Sequence, residues 1–126
     1  MGVVHHSNYL RWFENARIAW LDRHDQAYAD YVAAGRHFAV TRVEVDYHAP
    51  ARFDDRIEIT TWLEDLGAAS LRMAYRLTHA GVPGKVLATG ATEHAAIDHE
   101  GRVRRIPKER RARLSQALIR SGEDGT

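Results

Sequence analysis

KVLATGATEHAAI, residues 85–97, is the stretch that decides the fold. Val86, Leu87, Ala88, Ala91, Ala95, Ala96 and Ile97 make it apolar on both faces, with Gly90 among the small residues. A strand apolar on both faces belongs inside a sheet, and its small side chains suit a helix that crosses it closely. Glu93 is the exception, since a carboxylate in a buried strand must find a partner or take up a proton. Turns flank the stretch by composition, Gly81-Val82-Pro83-Gly84 before it and Asp98-His99-Glu100-Gly101 after it.

Upstream, three segments alternate at two-residue spacing. Val43, Val45 and Tyr47 share one face of a strand expected over 38–49, opposite Arg42, Glu44, Asp46 and His48, and Pro50 ends it. Ile57, Ile59, Thr61 and Leu63 alternate with Arg56, Glu58 and Thr60, and Leu66-Gly67 turns the chain into Leu71, Met73, Tyr75 and Leu77. Before the strands, from Asn8 onwards, apolar residues recur at three- and four-residue steps. Tyr9, Trp12, Phe13, Ala16, Ala19 and Trp20 form a helical stripe, and the bulky indoles imply packing against something large. The polar run 22–26 predicts a break, then a short second helix over 27–34 that Gly35 stops. Pro107 opens a last basic helix, expected over 108–120. One long helix followed by four antiparallel strands is an α+β pattern, a curved sheet wrapped around a helix. The expected organisation is one domain over 1–120 with a loose tail at 121–126.

Composition narrows the function. Eighteen basic against seventeen acidic residues give a net charge of +1, which shows no commitment to nucleic acid or to an anionic membrane. The absence of cysteine removes disulfides, thiolate metal sites and cysteine nucleophiles. No apolar run approaches ~20 residues and no signal-peptide layout opens the chain, so a cytoplasmic protein is expected. Ser70, Ser115 and Thr92 lack a nucleophile-elbow context. The neighbours His5 and His6 point apart, and no third ligand has suitable spacing, so no metal is expected.

Chemistry concentrates at the start, GVVHHSNYLRWFENARIAWL over residues 2–21. Ser7 and Asn8 are residue types that cap a helix, and the free N–H groups of a first helical turn attract a developing oxyanion. This stretch resembles the start of the hotdog-fold acyl-CoA thioesterases of the 4-hydroxybenzoyl-CoA thioesterase type. In that family a Gly-Val-Val, an aromatic or His pair and an Asn/Ser-Tyr lead into a helix bearing Glu-x-Ala-Arg. ATEHAAIDHEGRVRRIP, residues 91–107, is similar to the same family's central strand, its Asp turn and the Ile-Pro before the closing helix. The resemblance implies a hotdog fold and hydrolysis of an acyl-CoA thioester to a free acid and coenzyme A. It implies no further cofactor, and a homodimer formed through the strand at 38–49 that can pair again as a dimer of dimers.

The resemblance also assigns roles. The backbone near Val4 and His6 would polarise the carbonyl, with Asn8 positioning water or capping the helix. Tyr9 would line the acyl pocket or belong to the core. Arg104 and Arg105, beside Arg102 and Lys108, would hold the coenzyme A phosphates or form a solvated face. Family members carry an Asp-x-Asp-x-x-Gly segment whose last residue corresponds to Gly2, and its second Asp is catalytic. Here only Met1 precedes Gly2, so that Asp and a first strand are expected upstream of Met1. A misassigned start, a truncation and a variant without the carboxylate are the three readings, the first being favoured. In the last, Glu14 is the substitute base unless it pairs with Arg17, three residues on. The alternative to catalysis is an acyl-CoA-binding module. With Met1 as the true start, the strand over 55–64 should lie at a sheet edge that a longer protein would cover.

Overall fold

The computed structural model describes residues 7–24, 37–49, 56–82 and 84–118. Its elements are α1 (Ser7–His24), β1 (His37–Tyr47), β2 (Ile57–Leu66), β3 (Ser70–His79), β4 (Val86–Ile97) and α2 (Lys108–Gln116). The strands form one antiparallel sheet in the order β1-β4-β3-β2. The small-residue strand β4 is therefore interior, which explains its apolar character on both faces. The α+β hotdog arrangement expected from the sequence is present, with α1 lying against the inner face of the sheet.

Register sorts the side chains. Val43, Thr92, Met73 and Leu63 lie opposite one another across the four strands, as do Val45, Gly90, Tyr75 and Thr61. These rows face α1. Phe13 stacks on Tyr75 with ring centroids 4.3 Å apart and planes 12° apart. Gly90 makes that approach possible: a Cβ there would stand 2.7 Å from Phe13 Cε2 and 2.7 Å from the Glu44 carbonyl oxygen. Tyr9, Trp20 and Leu21 continue the buried face of α1, and Leu114 of α2 closes one end of the core.

The outer face is polar and tied by Arg72. Its guanidinium meets Glu64 of β2 and Glu93 of β4, each at 2.8 Å, and Glu44 of β1 at 3.0 Å. Glu93 thus finds its cationic partner. The Asp98 turn forms as read: its Oδ1 accepts the N–H groups of Glu100 (2.9 Å) and Arg102 (3.0 Å), and Gly101 adopts φ +82°. Beyond it, Ile106 N–H bonds the Ala68 carbonyl at 2.9 Å and sets α2 against the β2–β3 turn.

Three expectations need correction or bounding. The last helix ends at Gln116, short of 120, because the N–H groups of Ala117 and Leu118 fold back onto Leu114 and Ser115 carbonyls. Leu118 then bridges to Leu63, so the chain leaves the helix for the sheet edge. Ala19, placed on the stripe, is exposed, whereas Arg17 and Leu21 are buried. β2 does lie at an edge, where Leu118 bridges to Leu63 and Arg111 Nη2 donates to the Leu66 carbonyl at 3.4 Å. The expected helix at 27–34 and the tail at 121–126 lie outside the described residues. No helix among the described residues is long and apolar enough to cross a membrane.

Substituting Gly90→Ala is expected to destabilise the protein by about 1–3 kcal/mol, since both atoms a Cβ would meet belong to packed groups. Urea denaturation measures this, and an unchanged midpoint would refute the close-approach argument.

Candidate active site

Leu10, Phe13, Glu14 and Arg17 follow one another at i, i+3, i+4 and i+7, so they share one face of α1. That face overhangs β1 and β4 and encloses a cavity of about 200 Å³. Val40 and Val43 of β1 form its outer wall, and Tyr75, Thr92 and His94 form its floor. Gly90, Thr92 and His94 point the same way because alternate residues of a strand share a face. The wall is open where Leu10, Val40 and Val43 stand 42%, 51% and 43% exposed.

The floor is a buried polar chain. The Tyr75 hydroxyl lies 2.7 Å from Thr92 Oγ, which lies 2.6 Å from His94 Nε2. His94 is 1% exposed, and its Nδ1 has no hydrogen-bond partner among the described residues. Burial, reinforced by the neighbouring Arg17 charge, holds the imidazole down at about 3, so it is neutral near neutral pH. Burial also pushes the Tyr75 hydroxyl up, which keeps its proton in place. Arg17 itself is only 7% exposed.

The residues singled out by sequence are spread unevenly around this cavity. Val4 and His6 lie outside the described residues. Asn8 occupies the first turn of α1. Glu14 stands in the cavity wall, exposed and not buried as a shielded base would be, and the i,i+3 ion pair with Arg17 that the spacing allows does not form. Tyr9 is in the core and outside the cavity wall, edge-on to Trp12 at 5.2 Å and Tyr47 at 5.1 Å. Arg104 donates Nε–H to Asp98 Oδ2 at 2.8 Å. It and Arg105 lie between β4 and α2, away from the cavity lining. That bond, with the two backbone N–H groups, lowers the Asp98 carboxyl to about 2. No group of three or more His, Asp or Glu side chains among the described residues suits a metal ion. A second cavity of about 440 Å³ lies on the outer face beside Trp62, Arg72 and Arg76.

Sequence reasoning missed Arg17, Thr92 and His94 as cavity residues. The available signal was polarity in the wrong place. Arg17 lies one turn from both Phe13 and Leu21 on an apolar face, and His94 stands in a strand rich in small residues, just before Ala95-Ala96.

With this geometry the class is defined: the chain belongs to the Thioesterase-like superfamily, whose sequence model matches residues 1–118. Among particular relatives, it is 35% identical over 79 residues to the acyl-CoA thioester hydrolase YbgC of Escherichia coli. That match covers 63% of this chain and 59% of the relative, so it spans less than two thirds of that protein. The crystal structure of hypothetical protein TT1821 from Thermus thermophilus superposes with a TM-score of 0.85 at 37% identity, covering 93% of this chain and 88% of that one. A DHNA-CoA thioesterase from Staphylococcus aureus superposes with a TM-score of 0.77 at 28% identity, covering 83% and 70% of the two chains.

A buried neutral imidazole has a consequence for stability. The folded value of about 3 lies below the unfolded 6.5, so the unfolded chain binds the proton more readily. The associated stability is complete above 6.5 and is lost as pH falls from 6.5 towards 3. The expected slope between about pH 6.5 and pH 5 is up to ~1.4 kcal/mol per pH unit, and His94→Gln should flatten it. Denaturation midpoints for both proteins across that window decide it. The Asp98 contribution does not intrude, because it is present above 3.8 and lost only as pH falls towards 2. Parallel slopes in the two proteins would rule out burial of a neutral His94.

Proposed function

We propose that this protein hydrolyses acyl-CoA thioesters to a free acid and coenzyme A. The observation that carries the reading is the largely apolar cavity beside the first turns of α1, in a chain whose family match runs from residue 1 to 118. Relatives of known name are hydrolases and thioesterases, which favours catalysis over the binding-module alternative.

The chemistry follows from the helix start. The thioester carbonyl sits at the N–H groups around Val4 to His6, where free donors and the helix dipole stabilise the oxyanion. Asn8 caps the helix or holds the water. Tyr9 supports this turn from the core, through Trp12 and Tyr47. The acyl group enters the cavity past Leu10, Val40 and Val43. A carboxylate draws a proton from water as it attacks the carbonyl carbon, and the coenzyme A thiolate leaves. By family resemblance that carboxylate is an Asp ahead of Gly2; Glu14 is the acid that the cavity wall itself supplies. Arg104 retains its Nη donors for a coenzyme A phosphate while Nε serves Asp98, and Arg105 lies beside it, exposed.

Assembly completes the site. β1 is an edge strand, and Val40, Val43 and Tyr47 on it are 51%, 43% and 53% exposed. A second copy pairing along β1 covers them and walls the open side of the cavity. The reading is a cytoplasmic homodimer, able to pair again as a tetramer, that acts on an acyl-CoA and needs no other cofactor.

Two measurements test this. A form extended upstream through the Asp-x-Asp segment should release thiol from a panel of short, medium and aromatic acyl-CoAs. The chain starting at Met1 should be slower by ~10² to 10⁴. Equal turnover by both forms, abolished by Glu14→Gln, would move the base to Glu14; binding of acyl-CoA without turnover by either would defeat hydrolysis. Light scattering should give a dimer at micromolar concentration and a monomer for Val43→Asp, and a monomeric unmodified protein would remove the β1 interface.

A further inference from the structure

Among the described residues Arg17 presents a charge without a mate. Its guanidinium carries five N–H donors and no acceptor, and burial of such a group is costly unless it is paired and hydrogen-bonded. Among the described residues no carboxylate forms an ion pair with it, although the side chain is only 7% exposed. Glu14, the one acid in the cavity wall, is exposed and does not reach it. The second observation lies across the same cavity, where the 1%-exposed His94 has an unpartnered Nδ1.

The polar chain on the floor gives that nitrogen a direction. If Tyr75 O–H donates to Thr92 Oγ and Thr92 O–H donates to His94 Nε2, the imidazole proton resides on Nδ1. In that tautomer Nδ1–H, shielded from solvent in this structure, and the Arg17 guanidinium are two donors carried by residues of one small cavity, whose other lining includes the hydrophobes Leu10, Phe13, Val40 and Val43. Donors of this kind, one of them a planar fork, match a carboxylate, which offers acceptors on two oxygens.

We propose that this cavity is a carboxylate-binding subsite for the far end of the acyl group, so that the preferred substrates are ω-carboxyacyl-CoA thioesters. The assignment rests on the thioester-hydrolase reading above. The spacing is consistent with it. Arg17 lies ten residues beyond Ser7 in α1, roughly 15 Å along the axis at ~1.5 Å per residue, and helical side chains lean back towards the N-terminus. A carbonyl held at the helix start therefore leaves room for a medium-length chain to reach the guanidinium.

The test is an internal ratio. Values of kcat/KM are measured for adipoyl-CoA against hexanoyl-CoA, and for suberoyl-CoA against octanoyl-CoA, in the upstream-extended protein. The carboxylated member of a pair should be favoured by at least about tenfold, and Arg17→Met should lower that ratio about a hundredfold, the usual worth of a charge-assisted pair. Arg17→Lys should fall between, because it keeps the charge without the fork. Thr92→Val should lower the ratio several-fold by releasing the His94 tautomer. Loss of folded protein cancels in a ratio, and Thr92→Val provides a nearly isosteric check should Arg17→Met not fold. Preference for the uncarboxylated member in the unmodified protein, or an unchanged ratio in Arg17→Met, would overturn the proposal and leave the charge to a protein group. If nothing is hydrolysed, calorimetric Kd values for the same pairs give the ratio directly. A retained preference then upholds the subsite while hydrolysis fails, and no preference sinks both.

Discussion

The contact of the Phe13 ring with the bare backbone of Gly90 sets the depth at which α1 lies on the sheet. An alanine there would lift the helix or displace Phe13 from Tyr75, since side chains in a packed interior have little room to shift. The neighbouring inner-face positions of β4 take their roles from this point. On one side lies Ala88, small and fully buried. On the other lie Thr92 and His94, over which the face carrying Leu10, Glu14 and Arg17 stands off far enough to leave a cavity. The tight contact and the cavity are thus two ends of one packing solution.

A matching constraint operates on the outer face. Arg72 is a side chain of β3 whose three carboxylate partners come one from each of the other strands. Two of the sheet's three register irregularities, between Val40 and Arg42 in β1 and between Leu63 and Asp65 in β2, fall next to this cluster; the third lies between Leu77 and Thr78 in β3. Exposed ion pairs contribute little singly, but one guanidinium shared by three acids has already lost its freedom to the first of them. Its value lies in register: a slip of any strand by one residue would turn its glutamate to the other face. The Glu44 carboxyl is held below its usual range by this hydrogen bond from Arg72, as a charged cluster requires.

Alternation made most of this legible in advance. Val43, Ile59, Met73 and Tyr75 fall on the face their two-residue spacing assigns, and β4 is interior because a strand without a polar face has nowhere else to go. The helix was harder. Ala19 fits an apolar stripe by type yet faces solvent, and Arg17 is polar by type yet buried, because tertiary contacts of α1 and not residue class decide which face turns inward. His94 illustrates a different limit. One-dimensional spacing marks a histidine among alanines but cannot show that Thr92 and Tyr75 will fix one of its nitrogens and leave the other bare. The phosphate role read into Arg104 meets the same limit, since its use of Nε on Asp98 depends on how the turn closes.

The electrostatics of the cavity also divide the labour of the chemistry. His94 is the nearest imidazole to the acyl path among the cavity residues, and histidine is the usual general base near neutral pH. Burial excludes it from that role. A ring whose value is held at about 3 has too little basicity to take a proton from water, and its Nε2 is already occupied by Thr92. What burial removes in basicity it returns as a neutral ring held in place through Nε2 by Thr92. Under the proposed hydrolysis the base is a carboxylate at the solvent-accessible end, near the start of α1, where a helix terminus would polarise the carbonyl. In the proposed reading, proton transfer at the mouth and recognition at the floor are therefore separate functions, carried by groups that differ in exposure.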